Sequence, residues 1–442
     1  MKKFIQTIKN IFSIEDLRIR ILNTIGFLII FRLGSFIVLP GVDPSKVDFQ
    51  GKAEGILGVI DTFVGGAFSN VSVLGLGIMP YISASIVLQL LTFAVPYFQK
   101  LQKEGESGRK KINQYTRVLT IAITLAQSVG YLAATVQPDM LFEEINRTFF
   151  TVSSMIILTA GTMFTMWLGE KITDKGIGNG ISMLIMIGII SRLPQALAFE
   201  AVTRGMNGAL IFVLELLVLF FIVMGVVMLT QATRKIPVQY AKQVVGNKVY
   251  GGQRQYIPLK VIAAGVMPII FAQSIMFLPA MIASAFSSQN DLANSIGATF
   301  SDFTTWQYNL VFAILIILFT FFYTALSVNP NQIADDMKRN GGFIPGIKPG
   351  KPTSEFIDNV LSRITLPGSI FLALVAILPA LASVAGVTRE FSYFFGGTSL
   401  LIMVGVILDT LQQIESYLLM RHYEGMMKSG RIKGRTQTAA TA

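Results

Sequence analysis

Residues 77–86 read GIMPYISASI and residues 265–275 read GVMPIIFAQSI. Both follow the pattern G-x-M-P-x-I, and each begins the second long apolar run of its half of the chain. In each half the fifth apolar run is short and follows a glycine-rich stretch, GIGNG at 176–180 and FFGG at 394–397. We interpret this recurrence as an internal repeat. Chance is the alternative, because glycine and proline are frequent in membrane helices.

The composition around these segments is that of a membrane protein. Of 442 residues 52% are hydrophobic and 14% charged, and the mean hydropathy is +0.61. The chain has no cysteine, which excludes a disulfide framework, a thiol nucleophile and a thiolate metal site. The one histidine, His422, lies in the polar tail, where a solvated side chain is the simplest interpretation. Residues 1–18 are predicted to be a retained, amphipathic, cytoplasmic leader.

The apolar runs predict ten membrane spans, since a spanning helix needs about 20 apolar residues. Eight runs are clear: residues 19–39, 74–95, 118–136, 149–168, 208–230, 261–286, 310–328 and 366–384. Two shorter runs, residues 181–190 and 399–408, complete the set. The predicted fold class is therefore an all-α polytopic membrane protein of ten transmembrane helices.

The basic residues predict the orientation, because Lys and Arg in short loops accumulate on the cytoplasmic side. With both termini inside, six of the 36 basic residues fall in outside loops: Lys46, Lys52, Arg147, Arg192, Arg204 and Arg389. Arg32 lies in the first span, and the others fall on the inside. This asymmetry also explains the net charge of +11. The two five-helix sets then begin on opposite sides, so the repeats are inverted and a functional path is expected between the halves.

Little in the spans suggests ion coupling or catalysis. Ionisable residues within them are sparse, mainly Arg32, Glu215 and Asp409. No phosphate-binding G-x-x-x-x-G-K-[ST] loop is present, and no catalytic triad or metal cluster can be assembled. We therefore expect no enzymatic activity and no cofactor. The segment IDTFVGGAFSN (60–70) is too short to cross, and the residues alone favour an outside loop over a short re-entrant helix.

Eight motifs resemble, in order and spacing, those of the SecY family, the channel-forming subunits of the general protein translocon. They are FRLGSFIVLPGVD (31–43), GIMPYISASIVLQLL (77–91), KEGESGRKKINQYTR (103–117), GIGNGIS (176–182), PVQYAK (237–242), LKVIAAGVMPIIFAQSI (259–275), NPNQIADDMKRNGGFIPGIKPG (329–350) and FFGGTSLLI (394–402). The resemblance implies two inverted five-helix halves, 19–191 and 208–419, that form a clamshell around an hourglass pore. An external hinge connection (192–207) would join them, and the tail (420–442) would be cytoplasmic.

The resemblance also implies the pore residues. The waist is a ring of aliphatic side chains at Ile78, Ile82, Ile181, Ile185, Ile270 and Ile402. From helical periodicity alone, a core or lipid-facing position is a simpler interpretation of each isoleucine than a pore-lining one. The resemblance also implies a short plug helix at about 57–72, and this reverses the preference for a loop. Its central residues are Ile60, Asp61, Thr62, Phe63, Val64, Gly65, Gly66, Ala67, Phe68, Ser69 and Asn70.

By the same resemblance, a lateral gate lies between spans 2 and 3 on one side and 7 and 8 on the other, with Gln89 and Gln127 as polar gate residues. Ordinary interhelical bonding is the alternative for both. The basic loops 231–260 and 329–365 would dock partners through Arg234, Lys235, Lys242, Lys248 and Lys348. Lys348 replaces the family's arginine in GIKPG, which keeps the charge but loses the planar fork of donors.

The implied function is a passive, gated channel in the bacterial inner membrane, with both termini cytoplasmic. Expected partners are the SecE and SecG subunits, the SecA ATPase, the ribosome, signal sequences, nascent polypeptides and membrane lipid. Two alternatives remain at this point. A small-solute secondary transporter would need a polar midplane site, and a membrane scaffold would need neither a plug nor an apolar ring.

Overall fold

The structure is a computed structural model, and it describes residues 12–47, 56–136, 138–142, 146–205, 208–240, 243–245, 248–250, 254–286, 299 and 302–428. Most of the predicted leader and the end of the predicted tail lie outside these ranges. The described chain is mainly helical. Its helices are α1 (Glu15–Gly34), α2 (Ile56–Val64), α3 (Met79–Ala94), α4 (Pro96–Lys103), α5 (Glu106–Thr135), α6 (Arg147–Lys175), α7 (Gly180–Arg204), α8 (Ala209–Gln231), α9 (Met267–Phe286), α10 (Trp306–Ser327), α11 (Pro330–Arg339), α12 (Lys351–Val384), α13 (Arg389–Ser392) and α14 (Gly397–Lys428).

Helices α1, α3, α5 to α10, α12 and α14 lie where the sequence predicts the ten spans. Within the described residues, seven helices are long and apolar enough to cross a bilayer, or eight when α3 and α4, bent by 97° at Val95, count as one span. Helix α1 fails this test because it carries Arg18, Arg20 and Arg32 besides two acidic residues. The helical membrane class is confirmed, and the number ten stays a prediction.

The two predicted short spans are longer than their apolar runs, so the predicted lengths were wrong. Helix α7 continues past residue 190 to Arg204, with Pro194 inside it, and α14 continues past residue 408. Helical hydrogen bonding does not stop where hydrophobicity stops, so polar residues extend both helices. Most of the predicted hinge connection, residues 192–207, is consequently helical. Arg192 and Arg204 lie on α7 and not in an outside loop.

The G-x-M-P repeat has the same backbone geometry in both halves. Gly77 and Gly265 have φ values of +53° and +60°, a left-handed conformation that glycine adopts without strain. Each glycine N–H donates to the carbonyl three residues earlier, Leu74 at 2.8 Å and Ile262 at 3.3 Å. The following helix then begins at Met79 in one half and at Met267 in the other. The repeat is therefore structural, because both sequences start equivalent helices in the same way.

The two basic loops fold together into one unit that contains the strands of the chain's larger sheet. Strand β1 (Thr233–Tyr240) pairs antiparallel with β4 (Arg254–Lys260) and with β5 (Gly342–Phe343); β2 (Gln243–Val245) and β3 (Lys248–Tyr250) form a second pair. The buried hydrophobic residues between sheet and helices are Ile236, Val238, Leu259, Met337, Ile344, Ile357 and Leu361. We call β1, β4, β5, α11 and the start of α12 the hairpin unit. The all-helical prediction did not include it.

Candidate functional site

The six predicted ring isoleucines all belong to or pack against one large hydrophobic cluster that includes residues of both halves. Ile78, Ile82, Ile185 and Ile402 are each at most 7% exposed, and half-buried Ile181 and Ile270 pack against the same cluster. The side chains come from the start of α3, from α7, from α9 and from α14, so each half contributes two helices. Such a surface offers water no hydrogen-bonding partner. It can obstruct ions by dewetting and still deform around an apolar or polar chain.

The predicted plug residues pack in part against the same hydrophobic cluster. Helix α2 ends at Val64, and turns continue through Gly65 and Gly66 to residue 78. Phe63 packs into the cluster that holds the ring, whereas Phe68 packs into a second buried cluster. All of residues 61–70 except Ser69 are buried. The segment is a packed structure beside the ring and not an exposed loop.

Charged and polar groups hold this segment to the first half. Asp61, only 5% exposed, forms an ion pair with Arg192 of α7 and accepts a hydrogen bond from the Ser69 N–H at 2.9 Å. Arg32 of α1 donates to the Gly65 carbonyl. The Tyr131 hydroxyl of α5 donates to the Phe68 carbonyl at 3.0 Å. Three helices of one half therefore bind residues 60–70, and two of them use arginine.

The segment also approaches α7 too closely for a side chain at Gly188. A Cβ atom at Gly188 would lie 2.3 Å from the Phe63 carbonyl oxygen, well inside van der Waals contact. A glycine is needed there because the backbone of residues 63–65 touches the α7 backbone. This contact places Gly188 among the residues that seat the segment, and the sequence analysis did not identify it.

Gln89 lies at a contact between the two halves. Its Oε1 accepts a hydrogen bond of 2.5 Å from the Tyr323 hydroxyl of α10. The Tyr323 ring packs edge-on against Phe271 of α9 with ring centroids 4.6 Å apart. Gln127 is half-buried on α5, and within the described residues no hydrogen bond connects it to Gln89. The structure therefore brings one of the two predicted gate residues to the interface between the halves and gives it a partner, Tyr323, that the sequence analysis missed.

The predicted docking residues separate into described and undescribed positions. Arg234 and Lys235 are exposed on β1, and Lys348 is exposed in the turn before α12. In the register of the hairpin, Arg234 lies opposite Leu259 and Lys235 opposite Pro258. Lys242 lies outside the described residues, as does the side chain of Lys248. Three predicted basic residues therefore lie on the surface of the hairpin unit.

Sequence reasoning missed Arg192 and Tyr323 for different reasons. Arg192 was assigned to an outside loop because the apolar run ends at residue 190, so its position on α7 beside the plug was not considered. Tyr323 is one of several aromatic residues in a uniformly apolar run, FTFFYTAL (319–326), and nothing in one sequence distinguishes it. The ion pair of Asp61 with Arg192 spans 131 residues of sequence separation.

Comparison with known proteins finds relatives along almost the whole chain. The family model described as SecY matches residues 72–411. The protein translocase subunit SecY of Streptomyces coelicolor is 45% identical over 431 residues, which cover 94% of this chain and 98% of the relative. The protein translocase subunit SecY of Halalkalibacterium halodurans is 45% identical over 435 residues, which cover 96% and 100%.

Solved structures share the fold at much lower identity. A structure described as a protein-conducting channel matches with a TM-score of 0.65 and 14% identity, and the match covers 90% of this chain and 92% of that one. A second solved structure matches with a TM-score of 0.63 and 16% identity at the same coverage. Its description states that the plug domain of that SecY protein stabilises the closed state of the channel and maintains a membrane seal. A third, Sec61 in a canine ribosome-channel complex, has a TM-score of 0.60 and 13% identity, again at the same coverage. At these identities the likeness shows the fold alone.

Proposed function

This chain belongs to the SecY family of protein translocase subunits, and from that premise we propose that it is the central protein-conducting channel of a bacterial translocon. In this proposal, unfolded secretory polypeptides pass between the two halves, and transmembrane helices leave sideways into lipid. The family is one of membrane proteins that translocate proteins and is not a known enzyme family. The observation that carries the proposal is that the isoleucines from both halves belong to one buried hydrophobic cluster, which we assign as the ring.

The ring suits a moving polypeptide because it seals without binding. Isoleucine side chains have no donor or acceptor to hold a passing peptide group, and their rotamers can adapt to chains of different size. An empty aliphatic constriction is poorly wetted, which opposes ion flow. A small-solute transporter would instead need polar groups at this depth, so the ring favours the channel over the transporter.

Residues 60–70 act in this proposal as the plug that covers the ring at rest. Support comes from Phe63, which packs into the ring's cluster, and from the contacts with Arg32, Arg192 and Tyr131. The solved relative described by its plug domain is said to maintain a membrane seal, and we extend that role to this segment. Movement of the plug would expose the ring to an arriving chain.

The lateral gate in this proposal opens where α3 meets α10. The Gln89 to Tyr323 hydrogen bond crosses between the halves, and a single neutral hydrogen bond contributes only about 0.5–1.5 kcal/mol. A signal sequence that offers an apolar helix to the same surfaces can replace such a bond at small cost. Gln127 remains a predicted second gate residue on α5.

Partners supply the driving force in this proposal. Arg234, Lys235 and Lys348 form an exposed basic surface on the hairpin unit, which suits the SecA ATPase or ribosomal RNA. One solved relative was captured in a ribosome-channel complex, which supports the ribosome as a partner. SecE and SecG are proposed as the accompanying subunits, in the bacterial inner membrane with both termini cytoplasmic.

Disulfide trapping of a stalled secretory chain tests the proposed path. The protein has no cysteine, so Ile82→Cys or Ile270→Cys introduces the only thiol of this chain. Reconstituted with SecE, SecG and SecA, both variants should cross-link to a cysteine in the stalled substrate. Val213→Cys, at a position 62% exposed on α8, is the matched control and should stay unlinked. Equal cross-linking at all three positions, or none at the ring, would contradict the proposed path.

A further inference from the structure

A buried charged cluster joins the two halves close to their covalent connection. Arg204, the last residue of α7, donates from Nε to Glu200 Oε1 at 2.8 Å and from an Nη to Glu215 Oε1 at 2.5 Å. The same Nη donates to the Gly386 carbonyl at 2.7 Å. Glu200 Oε2 accepts from the Thr388 N–H at 3.0 Å and from the Thr388 hydroxyl. We call these five residues the hinge cluster.

The members of the hinge cluster lie on two helices and in one turn that is hydrogen-bonded to a third helix. Glu200 and Arg204 occupy the last turn of α7, and Glu215 lies near the start of α8. Gly386 and Thr388 lie in the turn after α12, which is fixed to that helix by the Gly386 N–H bond to Ser383 and the Val387 N–H bond to Ala382, each 3.1 Å. The cluster therefore connects the last helix of one half to two elements of the other half without a flexible loop between them.

The charges make this connection strong. Glu200 is 0% exposed and Glu215 is 7% exposed, and a buried carboxylate is costly unless it is paired and hydrogen-bonded. Both carboxylates use the same guanidinium, and Glu215 Oε2 has no hydrogen-bond partner among the described residues. A displacement of α7 from α8 or from residues 386–388 would leave buried charge unpaired.

At the hinge connection that the family resemblance implies, we propose that Arg204 acts as the pivot. It is the positioning residue that fixes the angle between the halves, because its guanidinium pairs with one buried carboxylate from each half. This inference rests on the proposed two-half channel. Two further described hydrogen bonds join the halves, from the Tyr323 hydroxyl to Gln89 and from the Gly178 N–H to Gln413 Oε1 at 2.8 Å. Each is a single neutral bond and is weaker than the charged cluster. Opening should therefore separate α3 from α10 while the charged cluster stays intact. Bonds close to a rotation axis lengthen least, which fits a cluster beside the short connection from α7 to α8.

Distance measurements between spin labels test the pivot. Val87→Cys on α3 and Leu326→Cys on α10, 40% and 41% exposed, would carry the only thiols of the chain and report the gate distance. With Arg204→Gln added, the fraction of molecules with a long gate distance should rise severalfold, and the distance distribution should broaden. Thr388→Val removes only the hydroxyl that donates to Glu200, so it should give a smaller change in the same direction. This variant replaces Arg204→Gln in the test if Arg204→Gln does not fold.

Two controls separate the pivot from general damage. Arg117→Gln breaks the exposed ion pair with Glu170 inside one half, and it should leave the gate distance unchanged. A second label pair inside the same half, Val129→Cys with Val152→Cys, should give one distance in every variant. An unchanged gate distance in folded Arg204→Gln and Thr388→Val proteins would overturn the pivot.

The same samples separate this inference from the proposed channel. Addition of a signal peptide to protein with an unaltered hinge cluster should lengthen the gate distance if the halves open as proposed. If that shift occurs while Arg204→Gln has no effect, only the pivot is wrong. If no signal peptide shifts any sample, the proposed gate itself is wrong.

Discussion

At the residue scale, the packed position of residues 60–70, the proposed plug, depends on a buried charge. Asp61 is almost fully buried, so its carboxylate needs the Arg192 guanidinium and the Ser69 N–H to balance the loss of water. Arg32 adds a charged donor to the Gly65 carbonyl. When the plug moves, each of these groups can regain water in a hydrated funnel. The pairing therefore stabilises the seated plug without preventing its release.

Arg192→Gln should loosen the plug. The change leaves Asp61 buried without its ionic partner, a loss that typically costs about 3–5 kcal/mol. With Ala67→Cys as the only thiol, at a position 0% exposed, the rate of labelling by an impermeant thiol reagent should rise strongly. Arg117→Gln is the control, because its ion pair with Glu170 is exposed and such pairs contribute about 0–1 kcal/mol. Equal labelling rates in both variants would contradict an ionic role for Arg192.

Gly188→Ala should displace the plug by contact alone. The new methyl group would lie 2.3 Å from the Phe63 carbonyl oxygen, and overpacking of this kind costs about 1–3 kcal/mol or more when backbone must move. The expected result is a steady ion leak through the purified complex in planar bilayers. Gly26→Ala on α1 is the control, since a Cβ there meets nothing within 4 Å. A tight Gly188→Ala channel would show that the plug tolerates the shift.

Individual functional residues can be predicted from the sequence only where a motif repeats or resembles that of a family. The ring isoleucines and Gln89 could be proposed because whole motifs surround them, and the structure brings the isoleucines into one cluster and Gln89 to the interface between the halves. Arg192, Gly188 and Tyr323 could not, because their roles depend on partners that are distant in sequence. Pairing of this kind is a property of packing and not of local pattern.

At the element scale, α3 and α10 form the surface that we propose as the lateral gate. Tyr323→Phe removes the hydroxyl that bonds to Gln89 and should shift the gate toward open by about 0.5–1.5 kcal/mol, the contribution of one neutral hydrogen bond. Spin labels at Val87→Cys and Leu326→Cys measure the shift. Gln89→Leu should have a similar effect, and the two changes together should be less than additive. Strict additivity would mean that the two residues act independently and that the bond does not hold the gate.

The exposed basic residues of the hairpin unit allow a test of partner docking. Arg234→Glu with Lys235→Glu reverses two exposed charges on β1 and should weaken binding of SecA or ribosomes, with the loss largest at low salt. Lys338→Glu on α11 of the same unit is the control, because it changes an equally exposed charge outside the predicted docking set. Equal losses from both changes would indicate a general charge effect and not a docking site.

The elements themselves were partly predictable. Hydrophobic runs located the spans, because burial in lipid requires length and apolarity together. They underestimated α7 and α14, whose polar ends continue the helix, and they did not reveal β1 and β4. In that strand pair the alternation of Ile236 and Val238 with exposed residues is short, and the loop's net basic charge dominated the interpretation.

At the scale of the whole molecule, two equivalent halves share one buried hydrophobic cluster, which contains the proposed ring. The matched glycine conformations before Met79 and Met267 show that the repeat extends to backbone geometry. The equivalent isoleucines of the two halves, Ile82 and Ile270, belong to one hydrophobic cluster. The sequence could predict this arrangement because the repeat lies in local motifs. The hinge cluster and the plug contacts could not be predicted, since they form only when distant segments pack.

Ion conductance of the purified complex in planar bilayers tests whether the pore passes through the ring and is closed by residues 60–70. Three samples are compared: the unaltered protein, a variant lacking residues 60–70, and a variant with Ile82→Asn and Ile270→Asn. We expect the unaltered protein to be silent and both variants to leak, because one loses its plug and the other gains a wetted waist. If all three are equally tight, the pore does not lie at the ring, and the proposed channel is contradicted.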